Sequence, residues 1–187
     1  MPDARTPRRK AVMLSWMLRT LESLIHVASP ILHHYGLVAV VAIVFAENLG
    51  VLVAPGEAVI VTAGFLSARG FFPIAAVLVL ATLAATLGGF AAYGLGFRYG
   101  YAGLSRWGKY LWITPARLEK THRFLQSYGA PVVLFGRFIV PLRQLQGYLA
   151  GTVAMGFRSF AFWSFLGAVA WVGFWGFGTW WLAGSIH

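Results

Sequence analysis

Four ionisable residues, Glu47, Glu57, Arg137 and Arg143, interrupt sequence that is otherwise apolar on either side of them. Glu47 closes an uncharged ten-residue run over 37–46, and Glu57 follows Pro55-Gly56 after a second short run from residue 49. Arg137, Pro141 and Arg143 separate the apolar stretches 124–136 and 144–157. A lone charge at the centre of a membrane helix costs about 2.5–3.5 kcal/mol, so four unpaired would cost about 10–14 kcal/mol. That approaches the whole stability of a domain, so these residues must pair, bind a ligand or open onto water. Two acids and two bases sum to zero, which makes mutual pairing electrically complete. Two planar guanidinium forks six residues apart, with Pro141 between them, suit bidentate recognition of a phosphate group. A carboxylate in such a cavity is pulled one way by desolvation and the other by arginine, and the balance can leave it exchanging protons near neutral pH. Protonating a glutamate frees its arginine for an anionic guest, and deprotonation expels that guest. The cluster thus has the chemistry for proton-linked movement of a phosphate head group, with Arg137 and Arg143 as phosphate ligands and Glu47 and Glu57 as proton carriers.

The elements that position these charges follow from composition. The chain has 187 residues, 59% hydrophobic and only 11% charged, with a mean hydropathy of +0.72. A soluble domain carries about 25% charged residues, so the plain expectation is an all-α membrane protein. Two stretches, 71–97 and 159–186, lack any charge over 27 and 28 residues. About 20 apolar residues suffice for a spanning helix, so each predicts a transmembrane helix. Trp180 and Trp181 near the end of the second fit an interfacial aromatic belt. The charged segments are half-length and broken by Pro and Gly, the pattern of discontinuous or re-entrant helices, which membranes tolerate where backbone is buried in protein or lines water. Pro55, Gly56, Gly136, Pro141 and Gly151 are the residues expected to shape their tips.

The two halves echo each other. Tyr35-Gly36 precedes a broken segment, Ala63-Gly64 and a long helix, as Tyr128-Gly129 precedes a broken segment, Ala150-Gly151 and a second long helix. From the first glycine to the Ala-Gly glycine is 28 residues in one half and 22 in the other. Short interrupted apolar segments in matching positions point to a midplane site. Whether the halves are parallel or inverted is not readable from the pattern. The expected organisation is a basic tail and amphipathic interfacial helix over 1–35, then one membrane domain over 36–187. Its halves fall at about 36–97 and 128–187, joined by a basic connector over 98–127. The net charge of +10 sits mostly in the tail and connector, where it marks cytoplasmic surface and anionic lipid contact rather than nucleic acid.

Other chemistries fail. The chain has no cysteine, and it lacks Walker A, H-E-x-x-H and G-x-S-x-G patterns. Asp3 is its only aspartate, which excludes an aspartyl dyad. His33-His34 are adjacent and on a helix point apart, so no metal and no cofactor is expected, and the chain does not read as an enzyme. The small-xxx-small pairs Ala92/Gly96, Gly96/Gly100 and Gly147/Gly151 suit close helix packing, within the chain first, with a homo-oligomer left open.

The segments Phe45-Ala46-Glu47-Asn48, Pro55-Gly56-Glu57, Ala63-Gly64, Gly136-Arg137-Phe138-Ile139-Val140-Pro141-Leu142-Arg143, Ala150-Gly151 and Met155-Gly156 resemble those of the DedA family, bacterial members of the SNARE-associated (VTT) membrane proteins. The resemblance covers roughly residues 30 to 185. Family members often carry a second proline before the Pro-Gly-acid triplet, where this chain has Gly50-Val51-Leu52-Val53-Ala54. The resemblance implies a multi-pass bacterial inner-membrane protein with two opposed re-entrant hairpins. It also implies a flippase for undecaprenyl phosphate or a phospholipid such as phosphatidylethanolamine, dependent on the proton gradient and on two acidic and two arginine residues matching Glu47, Glu57, Arg137 and Arg143. An energy-independent scramblase and a proton-coupled carrier of a small ion are the alternatives.

Overall fold

A computed structural model of the protein describes residues 34–51, 54–107 and 133–185. The expected interfacial helix before residue 34 and most of the basic connector lie outside these residues. Every regular element among the described residues is helical: α1 (Leu37–Asn48), α2 (Gly56–Ala68), α3 (Ile74–Trp107), α4 (Val140–Thr152) and α5 (Phe157–Val172). A π-helical turn, Gly173–Phe177, joins α5 without a break to α6 (Gly178–Gly184). The all-α reading of the composition holds.

Length sorts these helices into two kinds. The apolar part of α3, Ile74–Gly100, has 27 residues, and the continuous helix Phe157–Gly184 has 28. At 1.5 Å per residue each reaches about 40 Å, enough to cross a hydrocarbon core of about 30 Å with tilt. α1, α2 and α4 have 12, 13 and 13 residues, or about 18–20 Å. Pro73, whose carbonyl accepts from the amides of Ala76 and Val77, opens α3. With no further proline, and no charge before Arg98, the helix runs uninterrupted and continues through Arg98 to Trp107.

α1 and α2 form a hairpin. Gly36 at the start of α1 lies against Phe72 just beyond α2, while Glu47 near the end of α1 lies over Gly56 at the start of α2. The turn between them uses Gly50 at φ +105°, a backbone conformation open to glycine at little cost. In the second half, a short helical segment over 133–136 and α4 flank a turn over 137–139. α4 then starts with Pro141 in its first turn, where a missing amide donor costs nothing.

The halves are inverted. α3 and α5–α6 run antiparallel, with Leu78 against Gly176, Gly89 against Ser164 and Tyr93 stacked on Phe160 at 4.9 Å. α4 runs parallel to α3: Gly147 faces Gly89 and Ala92, and Gly151 faces Tyr93 and Phe97. α2, returning from α1, runs the other way. The second limb of each hairpin therefore packs on the long helix of the opposite half. Gly151 of Ala150-Gly151 abuts the Tyr93 carbonyl, and Gly64 of Ala63-Gly64 abuts the Gly176 carbonyl. Tyr93 and Gly176 each lie 19 residues past the first residue of their helices, Ile74 and Phe157. A side chain on either glycine would strike backbone, which is why small residues hold these contacts. Between apolar helices in lipid, close packing rather than hydrophobic exclusion supplies the attraction.

The interior splits accordingly. Val40, Val44, Val59, Ile60, Ala63, Val77, Ala81 and Trp171 belong to one buried apolar cluster around the first hairpin. Tyr93, Val133, Ala150 and Phe160 form another around the second. The hairpin tips meet between them.

Candidate functional site

The tips meet at mid-length of the long helices. Asn48 at the end of α1 lies against Gly88, and the Arg137 guanidinium reaches the Ala85 carbonyl. Both positions flank Leu87, the central residue of the apolar span Ile74–Gly100. All four charges anticipated from the sequence come together there, each delivered by a helix end. Glu47 sits in the last turn of α1, Glu57 in the first turn of α2, Arg137 in the turn before α4 and Arg143 in the first turn of α4.

Their pairing is not two by two. Arg143 serves both acids: Nη2 donates to Glu47 Oε1 at 2.7 Å, and Nη1 donates to Glu57 Oε1 at 2.8 Å. Its guanidinium also lies over the Trp171 ring, 4.5 Å from the centroid, a contact worth about 2 kcal/mol when desolvated. Arg137 contacts no carboxylate among the described residues. Its Nη1 donates to Asn48 Oδ1 at 3.1 Å, and its Nη2 donates to Ser164 Oγ at 3.1 Å and to the Ala85 carbonyl at 3.5 Å. The four formal charges sum to zero, but among the described residues they are arranged as an acid-rich trio in contact and an arginine hydrogen-bonded to neutral groups.

Burial divides the acids too. The Glu47 side chain is 3% exposed and that of Glu57 36%, while Arg143 is 1% exposed. Glu57 enjoys the positive end of the α2 dipole, whereas Glu47 opposes the negative end of α1. The fold compensates by laying the Glu47 carboxylate across the start of α2, where Gly56 leaves room: a Cβ there would overlap both Glu47 Oε2 and its carboxyl carbon. Glu47 Oε2, Arg137 Nε, Arg143 Nε, Gln146 Oε1 and Trp171 Nε1 are buried without a protein partner among the described residues. Such a concentration of unused hydrogen-bonding capacity is unusual in a protein interior.

Of the residues expected to shape the tips, Gly56 is required by close approach at the junction, whereas Gly151 stands at the far end of α4 and its close approach is to Tyr93 and Phe97, not at a tip. Pro55 caps α2 and Pro141 lies in the first turn of α4. Gly136 is different: a Cβ there would meet only ordinary contacts, Leu142 Cβ at 3.6 Å and Gln146 Oε1 at 3.7 Å. Sequence reasoning missed Asn48 as a partner of Arg137, along with Ser164, Trp171 and Tyr148. The Tyr148 hydroxyl donates to the Leu49 carbonyl at 2.7 Å, tying the second hairpin to the tip of the first. The one local signal was the amide of Asn48 beside Glu47 in an apolar run. Among the described residues no group of His, Asp or Glu could hold a metal; His34 is exposed, and the remaining histidines lie outside them.

An inverted pair of broken helical hairpins, meeting at a charged junction beside two membrane-length helices, defines a helical membrane protein with an ionisable centre. The model of the VTT domain matches residues 54–180, and the chain belongs to that family, which is the family of DedA. It is 33% identical to an uncharacterized membrane protein of Synechocystis sp. over 84% of this chain and 70% of that protein. It is 28% identical to protein DedA of Escherichia coli over 70% and 61% of the two chains. It is also 27% identical to undecaprenyl phosphate transporter A of Bacillus subtilis over 67% and 64%. The chain thus spans between three fifths and seven tenths of these relatives. No solved structure matches it.

Proposed function

We propose that this protein moves a phosphate-bearing lipid across a bacterial inner membrane, which it crosses several times, and that protons drive the movement. The observation that carries this reading is Arg143 clamped between two carboxylates, one sealed and one partly exposed. In the resting arrangement both acids mask the guanidinium. Protonation of Glu57, the acid that reaches the surface, removes one of the two masks. A phosphate oxygen then takes the vacated side of the Arg143 fork, with Arg137 adding the second positive charge. Deprotonation restores the ion pair and displaces the phosphate. The hairpins enter as re-entrant elements from opposite faces, so the junction is reached from either side in turn, as in transporters whose discontinuous helices meet at the midplane. The basic residues within 1–35 and 98–127 suit a cytoplasmic surface that attracts anionic lipid.

The B. subtilis relative named undecaprenyl phosphate transporter A makes undecaprenyl phosphate the lipid to test first, with phosphatidylethanolamine second. The test is transport in proteoliposomes holding the full chain and a fluorescent undecaprenyl phosphate, read by quenching of the outer leaflet. The parent protein is expected to move the lipid, and Arg143→Ala to fall to the protein-free rate. Full transport by Arg143→Ala, verified as folded by gel filtration, contradicts the phosphate role.

A further inference from the structure

The two arginines are both buried, yet among the described residues only Arg143 contacts a carboxylate. The Arg137 fork is fixed by three neutral oxygens from three separate elements: Asn48 Oδ1 of α1, the Ala85 carbonyl of α3 and Ser164 Oγ of α5. Asn48 is itself locked, because its Nδ2 donates to the Val44 carbonyl at 2.8 Å, which turns Oδ1 toward Arg137. Asn48 is 2% exposed and Ser164 0%. Glycines complete the sleeve: a Cβ at Gly167 would stand 3.3 Å from Arg137 Cδ, and one at Gly89 3.3 Å from Ser164 Oγ. An aspartate in place of Asn48 could still accept from Arg137, but it could not donate to Val44, and it would cancel the charge. Neutral acceptors orient a guanidinium while leaving its full charge in a medium that screens weakly.

We propose that Asn48 and Ser164 are positioning residues that keep Arg137 oriented but uncompensated, so that it is the standing anion-binding charge, while Arg143 is the arginine the glutamates mask and release. This division of labour rests on the reading of the protein as a carrier of phosphate lipids, and it assigns each arginine a different part. Arg137 draws the phosphate into the junction whatever the state of the acids. Arg143 decides when the phosphate is held.

The experiment measures binding of a short-chain polyprenyl monophosphate to the full chain in detergent, with the matching polyprenol as the uncharged control. Asn48→Asp places a carboxylate against Arg137 and is expected to weaken binding of the monophosphate about tenfold or more, the loss of a charge-assisted contact, with the polyprenol unaffected. Asn48→Gln keeps a neutral amide and is expected to restore most of the affinity, a rescue that a merely structural role of the charge state would not produce. Ser164→Asp brings a carboxylate from the opposite wall and is expected to reproduce the loss, which secures the test if Asn48→Asp fails to fold. Parent-like binding by either folded aspartate variant overturns the division of labour while leaving the carrier reading intact. A parent chain that does not distinguish monophosphate from polyprenol overturns the carrier reading and this inference with it.

Discussion

Arg143 and Arg137 stand six residues apart on one turn and the helix that follows it, both sealed from the surface, and they are stabilised by opposite means. Arg143 is held by two carboxylates and an indole face, Arg137 by an amide, a hydroxyl and a carbonyl. A buried ion pair is costly to break because its survivor is left charged in a poor solvent. A buried cation held by neutral groups leaves behind only unsatisfied dipoles when it is removed. The same residue type, six residues apart along the chain, is therefore expected to have two different energetic weights.

Truncating each arginine tests that difference most sharply. Arg143→Ala strands the 3%-exposed Glu47 and is expected to cost about 3–5 kcal/mol, read as a large loss of thermal stability in detergent. Arg137→Ala orphans only Asn48 Oδ1 and Ser164 Oγ, at about 1–3 kcal/mol. Equal losses would show that Glu47 is not held as an ion in the folded chain.

The glycines of the two tips give a smaller contrast of the same kind. Gly56→Ala must displace the Glu47 carboxylate and is expected to cost about 1–3 kcal/mol, the range for overpacking, with transport impaired. Gly136→Ala meets no contact closer than 3.6 Å and is expected to change stability by less than about 1 kcal/mol, since alanine is also the better helix former. A severe defect at Gly136 would mean that the second tip is tighter in another state of the protein.

Much of this arrangement was legible in the sequence because a charge interrupting an apolar run is conspicuous wherever it ends up. Glu47, Glu57, Arg137 and Arg143 stood out for that reason, as did the two uncharged helices and the echo of Tyr-Gly and Ala-Gly. Partner choice was not legible. Whether Arg137 meets Glu47 or Asn48 depends on how α1 is rotated against α3, and that rotation is set by Gly88 fitting under Phe45 and Asn48. Ser164 lies in an uncharged stretch where serine is an ordinary small residue, and Trp171 was one aromatic among many in its helix. The inversion of the halves was hidden as well. It arises from long-range pairs such as Gly151 with Tyr93 and Gly64 with Gly176, which no local pattern encodes. The balance of two acids and two bases predicted mutual pairing without naming partners, and geometry assigned both acids to one arginine.

The most direct test of proton-driven lipid movement is the rate of fluorescent undecaprenyl phosphate transfer in proteoliposomes with and without an imposed pH gradient, for the parent chain and for Glu57→Gln. Glu57 is the acid that both touches Arg143 and reaches the surface. Acidifying the side on which lipid is loaded is expected to accelerate transfer by the parent chain, since in the proposed mechanism protonation of Glu57 unmasks Arg143. Glu57→Gln is expected to transfer lipid at a rate that no longer responds to the gradient. A parent chain indifferent to the gradient, or a Glu57→Gln chain that follows it unchanged, contradicts the account.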